Sequence, residues 1–303
     1  MTQNIEISVN LSPELRLEQA LKQAGIEEPA TVSKLTVSGM LKNDDFKYMK
    51  KNMSETLREL DMGDASFYRN KIPQNTFAKL YGLTAITLPD SINSYYYSAF
   101  FNTYIASITV RPNNHFFASE DGILFNKSKT ELVLCPSGRK GDYIIPNSVL
   151  KIGTGAFWGC ADLTSVTIPN SVTEIEFHAF EHCSGLTSIT IPDTVMEISI
   201  GAFTGCSGLT NITIPDSVTE IRGHAFGHCK GLATITIPNS VKKIEFFAFF
   251  GCTALASVFI PASLVEIGKQ AFDKCPAFFA VHPDNPAYKS ENGKLIKKNE
   301  THK

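Results

Sequence analysis

The stretch LTSVTIPNSVTEIEFHAFEHCSG at 163–185 runs without a gap into LTSITIPDTVMEISIGAFTGCSG at 186–208 and LTNITIPDSVTEIRGHAFGHCKG at 209–231. LATITIPNSVKKIEFFAFFGCTA at 232–254 and LASVFIPASLVEIGKQAFDKCPA at 255–277 continue the series. Cysteines stand at 160, 183, 206, 229, 252 and 275, Ala-Phe pairs run from 156–157 to 271–272, and prolines run from 146 to 261, all at one constant step. A fixed period of about 20–50 residues is the signature of stacked repeats, in which no single unit buries its own apolar face. The array sets the architecture before any helix or strand is assigned, and it favours binding over chemistry.

Within one unit, L-x-x-I/V-x-I alternates as a strand does. Proline then ends the strand because it cannot donate to a ladder. The pair E/K-I predicts a second short extended piece, and A-F-x-x-C is too short for a stable helix and reads as a 3₁₀ or irregular turn. Leu163, Val166, Ile168, Val172, Ile175, Ala179, Phe180 and Cys183 are expected to point inward and stack on their copies in neighbouring coils. Similarity is closer still at twice the step: His178 and His182-Cys183 are echoed by His224 and His228-Cys229. That doubled step suggests growth by duplication of two repeats.

Upstream the pattern degenerates. Leu83 to Phe100 is a recognisable copy, and Pro112 follows Pro89 by one regular step, but Pro146 follows Pro112 by a longer one. The extra residues hold two apolar runs, 121–127 and 131–135, around Asn-Lys-Ser-Lys-Thr, which predicts a projecting β-hairpin over 113–135. Val281 to Leu295 repeats Val110 to Leu124 at a constant offset. It is expected to be the first arm of a second, incomplete hairpin unit over 281–303, whose partner strand would start at residue 303. An exposed edge there would invite self-association. Residues 1–80 are expected to form an N-terminal cap with divergent first repeats, leaving 81–303 as the solenoid. The cap holds a strand at Ile5–Val9, a helix capped by Ser12 and stopped by Gly25, strand-like runs at 35–37 and 57–62, and a second helix over 44–53 with Phe46, Met49 and Met53 on one face.

Composition narrows the function. The 28 basic and 30 acidic residues nearly cancel, leaving net −2. No basic stripe of the kind that binds nucleic acid is present, and no apolar run approaches a membrane span. The opening segment, Met1 to Asn10, lacks a basic stretch followed by an apolar one, so the chain is expected to be either intracellular or a mature form. Seven cysteines, an odd number, do not make a disulfide framework.

The pattern L-t-s-I-t-I-P-d-S-V-t-e-I-x-x-x-A-F-x-x-C closely resembles the BspA-like leucine-rich repeats of bacterial and protist surface proteins. The likeness is specific over 83–303 and includes the Ser119-Glu-Asp-Gly-Ile-Leu-Phe-Asn-Lys127 unit. It implies an α/β repeat solenoid: a right-handed leucine-rich-repeat superhelix with a parallel β-sheet on its concave face and little helix outside the N-terminal cap. It also implies a secreted or cell-surface location and adhesion or host-protein binding.

The candidate site is the outward face of the strands. Ser165, Thr167, Ser188, Thr190, Asn211, Thr213, Thr234, Thr236, Ser257 and Phe259 alternate with the buried positions and so share one side of the sheet. Two explanations stand: threonine suits a solvated strand face, or the columns form a near-neutral, hydroxyl-rich floor for a macromolecular partner, a protein or glycan. Ice binding is a remote third, set against by the curvature the family implies. Phe246, Phe247 and Phe250 add aromatics to the outer segment. The cysteine column reads as buried packing, with ligand spacing wrong for zinc. Cys135, outside the column, is the more reactive candidate yet expected to be buried. His178, His182, His224 and His228 read as surface or turn residues, with an incidental metal site as the alternative and no carboxylate joining them. No catalytic motif, metal site or cofactor site is found. The expectation is a non-enzymatic binding module that works through the concave sheet or the hairpin at 113–135, or alternatively a spacer segment of a longer surface array.

Overall fold

The computed structural model describes residues 4–298. They divide into two compact units, Met1–Arg139 and Lys140–Lys303. Residues 80 and 81 fall inside the first unit, and its main sheet has strands on both sides of them.

In the first unit, Ile5–Leu11, Val32–Met40, Glu59–Asp61, Ala85–Leu88 and Ser107–Val110 pair in that order as a parallel sheet. The cap is therefore continuous with the coils that follow it. A helix at Leu17–Gln23 buries Leu17, Ala20 and Leu21, and a helix at Asn43–Asn52 buries Phe46 and Met49. The first helix starts at Leu17, not beside Ser12. The Ser12 hydroxyl instead accepts from the amides of Glu14 and Leu15 in a separate turn. The helix N-terminus is closed by Asp45, whose carboxylate accepts the Leu17 amide at 3.1 Å and pairs with Arg16. A partner so far along the chain leaves no local signature. Gly25 stops the helix with φ 78°, a conformation that glycine adopts without Cβ strain.

In the second unit, Gly141–Ile144, Leu163–Thr167 and Ser188–Ile189 form one parallel ladder, and Thr234–Thr236, Ser257–Ile260 and Phe278–Val281 another. Single bridges from Thr190 to Thr213 and from Thr213 to Thr236 join them. A second line of two-residue strands, Glu197–Ile198, Glu220–Ile221, Lys243–Ile244 and Glu266–Ile267, runs on another side of the coil. The register advances by one sequence period per coil along it: Glu197 pairs with Glu220, and Glu220 with Lys243. The whole inward set of the 163–185 coil is buried, from Leu163 at 0% to Ile168 at 8% exposed.

The repeat residues have identifiable jobs. After each strand the fourth residue of P-x-x-V closes a turn by donating its amide to the proline carbonyl, as Val172 does to Pro169 and Val195 to Pro192. The serine of that turn binds the previous coil, as Ser171 Oγ does to the Val149 carbonyl at 2.7 Å. On the outer segment Phe180 N donates to the Ala202 carbonyl and Phe203 N to Ala225. Rings of Phe157, Phe180, Phe203, Phe226, Phe249 and Phe272 stack with centroids 4.8–5.4 Å apart. Each fully buried ring contributes on the order of 2–3 kcal/mol.

The two hairpin segments share one design. Phe117–Glu120 pairs antiparallel with Ile123–Asn126 around Asp121-Gly122, and Tyr288–Glu291 pairs with Lys294–Lys297 around Asn292-Gly293. Both turn pairs have positive φ, 51° and 75° in the first and 51° and 76° in the second, as tight hairpin turns require. So the insertion carries two turns and three strands, because Ile123–Asn126 also pairs with strand Glu131–Leu134. The residues expected to supply one arm near the C-terminus already close a two-stranded hairpin. The third strand expected from residue 303 lies outside the described residues. Each hairpin docks on the strand before it: Ile108 N donates to the Gly122 carbonyl, and Phe279 N to that of Gly293.

Candidate functional site

Strand alternation and constant register bring the ten sequence-predicted positions onto one face of the second unit. Ser165 pairs across from Ser188, Thr234 from Ser257, Thr190 from Thr213, and Thr236 from Phe259. All are exposed except Ser165, which is half-buried. Intervening Val166, Ile189, Ile212, Ile235 and Val258 are buried. The face thus has two parallel columns of small polar groups over an apolar floor.

Three further residues extend the columns. Asp142 lies across from Ser165, Ile144 from Thr167, and Phe278 from Ser257. Ile144 is 73% exposed, Phe259 46% and Phe278 60%. A hydroxyl surface is therefore bounded by apolar side chains at both ends. Asp142 and Ile144 lie one full period before Ser165 and Thr167, so the repeat itself could have found them. Phe278 falls short of a full period after Ser257, and periodicity passes over it. Asp142 is the one carboxylate in these columns. Hydrogen bonds from Thr164 and Ser165 hold its pKa below the usual range.

The corresponding face of the first unit differs. Lys34 pairs with Glu59 at 3.3 Å and Glu6 at 3.8 Å, and Arg111 contacts Asp64 at 2.7 Å and Asp61 at 3.5 Å. Charge there is satisfied internally. The second line of short strands in the second unit behaves the same way: Arg222 lies 3.0–3.1 Å from carboxylates of Glu197, Glu220 and Glu245.

On the outer segment, the histidines sit in left-handed backbone. His178, His182, His224 and His228 have φ of 57–61°, and Gly201 and Gly205 take the same conformation one coil on. Histidine is among the few side chains that tolerate this region. A carboxylate does join one pair: Glu181 Oε2 lies 2.8 Å from His178 Nδ1, and Glu181 Oε1 lies 3.6 Å from His182 Nε2. Sequence spacing missed it because Glu181 falls between the histidines in a turn whose path is irregular. Around the second pair, His224 stacks on Phe247 at 5.0 Å, His228 meets Phe250 at 5.3 Å, and Lys274 Nζ lies 4.8 Å from the Phe250 ring centre. Phe246 is exposed, while Phe247 and Phe250 are half-buried by these neighbours. The patch is thus largely self-packed. Among the described residues no group of three His, Cys, Asp or Glu side chains is placed to hold a metal.

Six of the seven cysteines are buried, Cys135 among them, and Cys275 is half-buried. Column members donate Sγ–H one coil back: Cys183 to the Phe157 carbonyl, Cys206 to Phe180, Cys229 to Phe203 and Cys252 to Phe226, at 3.0–3.1 Å. Their role is packing with a directional contact.

The BspA type leucine-rich repeat region is matched in six copies, over residues 52–136, 141–234 and 220–281. The chain belongs to the BspA-type leucine-rich repeat family. Its parallel-strand coils with few helices are the solenoid fold of that family. A leucine-rich repeat protein from Eubacterium ventriosum superposes with TM-score 0.56 at 20% identity, covering 90% of this chain and 83% of that one. A leucine rich cell surface protein from Faecalibacterium prausnitzii superposes with TM-score 0.50 at 23% identity, covering 84% of this chain. This chain spans 65% of that protein. No curated protein matches the sequence. Among the described residues no helix is long and apolar enough to cross a membrane.

Proposed function

We propose that this BspA-type repeat protein is a non-enzymatic binding module that engages a macromolecular partner, a protein or glycan, through the strand face of its second unit. The observation that carries this is the pair of exposed columns from Asp142 and Ile144 to Phe278 and Phe259. Uncharged hydroxyls desolvate at modest cost when they find new hydrogen-bond partners. Exposed aromatics at the margin supply the anchors on which interface energy concentrates. The charged faces around Lys34 and Arg222 are already ion-paired and have less to gain from a partner. A surface or secreted location fits the naming of the Faecalibacterium prausnitzii relative as a cell surface protein, and adhesion or host contact is the purpose proposed for such a module.

The test is capture from extracellular-matrix and cell-surface extracts, read by mass spectrometry. The Thr190→Arg/Thr213→Arg variant, which plants two cations in the middle of one column, serves as comparison. A partner held by the native protein and lost by a folded variant supports the strand face. Equal capture by both removes it.

A second reading rests on the edge at Lys294–Lys297. In the insertion the equivalent strand has a third strand beside it, whereas Lys294–Lys297 pairs only with Tyr288–Glu291 among the described residues. Addition of a strand from another copy would complete the pattern and make the protein a spacer in a longer array. Concentration-dependent sedimentation tests this reading.

A further inference from the structure

The first unit contains a cavity of about 610 Å³ between the residues that follow the strand Val32–Met40 and the turn at 67–73. That size lies within the range of about 300–1,000 Å³ usual for small-ligand sites. Phe46 and Phe67, both buried and stacked at 5.8 Å, form its apolar floor. Tyr68 and Tyr96, 72% and 42% exposed, stand in its wall. Lys42, Arg69 and Lys71 supply the charge, and no carboxylate lines the cavity.

Some of the protein's cations are ion-paired, and among the described residues these three are not. Lys34, Arg111, Arg139, Arg222 and Lys243 each have a carboxylate within 4 Å, but no ion pair of the described residues involves Lys42, Arg69 or Lys71. Two of them are held by aromatic faces instead: Arg69 Cζ lies 5.1 Å from the Tyr68 ring centre, and Lys71 Nζ 3.7 Å from that of Tyr96. Such contacts orient a cation without neutralising it. The turn that presents Arg69 holds it and Asn70 at φ 57° and 53°, a conformation non-glycine residues seldom adopt. Of the two acidic side chains in the first turn of the adjoining helix, Asp45 is buried and committed to Arg16, and Asp44 pairs with Lys47.

We propose that this cavity is a binding site for an acidic oligosaccharide, with its carboxylate or sulfate groups on Arg69, Lys71 and Lys42 and the apolar face of a sugar ring on Tyr68 or Tyr96. Unpaired cations call for an anion, and flat exposed aromatic faces beside them call for a rigid ring with an apolar side. The site lies in the unit that does not carry the strand face proposed above, so either can fail alone.

The test is titration calorimetry of the full chain with a sulfated heparin hexasaccharide, its desulfated carboxylate form, and neutral maltohexaose. The first two should bind and the third should not. Arg69→Asn/Lys71→Gln should weaken binding about tenfold or more, with asparagine chosen because it accepts the left-handed backbone. Lys294→Gln/Lys297→Gln, an equal charge loss elsewhere, should leave affinity unchanged. Hydrogen exchange of the native protein should show protection at 67–73 on adding the sulfated sugar, a result that needs no variant to fold. No binding, equal losses in both variants, or displacement by inorganic sulfate at the same concentration would overturn the proposal. So would tighter binding of a sulfotyrosine peptide, which would make the site one for acidic peptides.

Discussion

Cys206 donates its thiol to the carbonyl oxygen of Phe180, one coil back, at 3.1 Å. The same contact recurs at Cys183, Cys229, Cys252 and Cys275, so one side chain both fills the core and joins successive coils. The Cys183 hydrogen bond, with burial, raises the Cys206 pKa well above the ordinary thiol value, and burial does the same for Cys229. Thiolate is the reactive form. Maleimide labelling of the native protein at neutral pH is expected to modify Cys275 first and to leave Cys206 and Cys229 unmodified, as read by peptide mass spectrometry. Labelling of Cys206 as fast as Cys275 would contradict the packing.

The alternation of histidine and glycine along the outer segment has a steric cause. A Cβ added to Gly201 would lie 2.4 Å from Nδ1 of His178, and one on Gly205 would lie 2.4 Å from Nδ1 of His182. His178, His182 and His228 therefore each face a glycine one coil on, while His224 stacks on Phe247 instead. Gly201→Ala is expected to destabilise by about 2–3 kcal/mol, combining clash with left-handed strain. Adding His178→Gly should recover the clash and leave about 1 kcal/mol of strain. Urea midpoints of the two singles and the double decide it, and an additive double would rule the contact out.

The pH dependence follows from His224, whose pKa is lowered by burial, then by His228 and His178, with Glu181 opposing. A base depressed in the folded state binds its proton more readily when unfolded. Its stabilising effect is complete above the unfolded value of about 6.5 and is lost as pH falls through the lower folded value. Melting temperature should therefore drop between neutral and mildly acid pH. His224→Asn, which keeps the left-handed backbone accessible, should shallow that drop.

Asn285 is wholly buried, and its side chain makes four hydrogen bonds. It donates to the carbonyls of Pro261 and Leu264 and accepts from the amides of Ala287 and Tyr288. Asn114 does the same for the insertion, with Pro89, Ile92, Phe116 and Phe117. Asn285→Ala should release the 288–297 hairpin while the coils before it hold. Hydrogen exchange would show faster exchange confined to about 278–298, and uniform acceleration through the array would speak against so local a role.

Much of this was legible because the period repeats every contact. Positions such as Val166, Ile175 and Phe180 point inward in one coil and so in all, and Ser165 to Phe259 share a face for the same reason. What escaped the sequence lies where periodicity ends. Asp45 caps a helix that precedes its own, Glu181 bridges two histidines through an irregular turn, and Phe278 joins its column after a slip in the period. The pocket at Tyr68 and Arg69 is assembled from segments with no repeat relation, and only folding brings them together.

The claim that the strand face binds a partner is tested most directly by hydroxyl-radical footprinting of the captured complex. Phe259 and Phe278 lie at the margin of the hydroxyl columns, while Phe246 and Phe250 lie in the outer patch. Oxidation of Phe259 and Phe278 is expected to fall sharply on binding while Phe246 and Phe250 stay as reactive as before. Protection of Phe246 and Phe250 with Phe259 and Phe278 unchanged would place the partner on the outer segment and contradict the account.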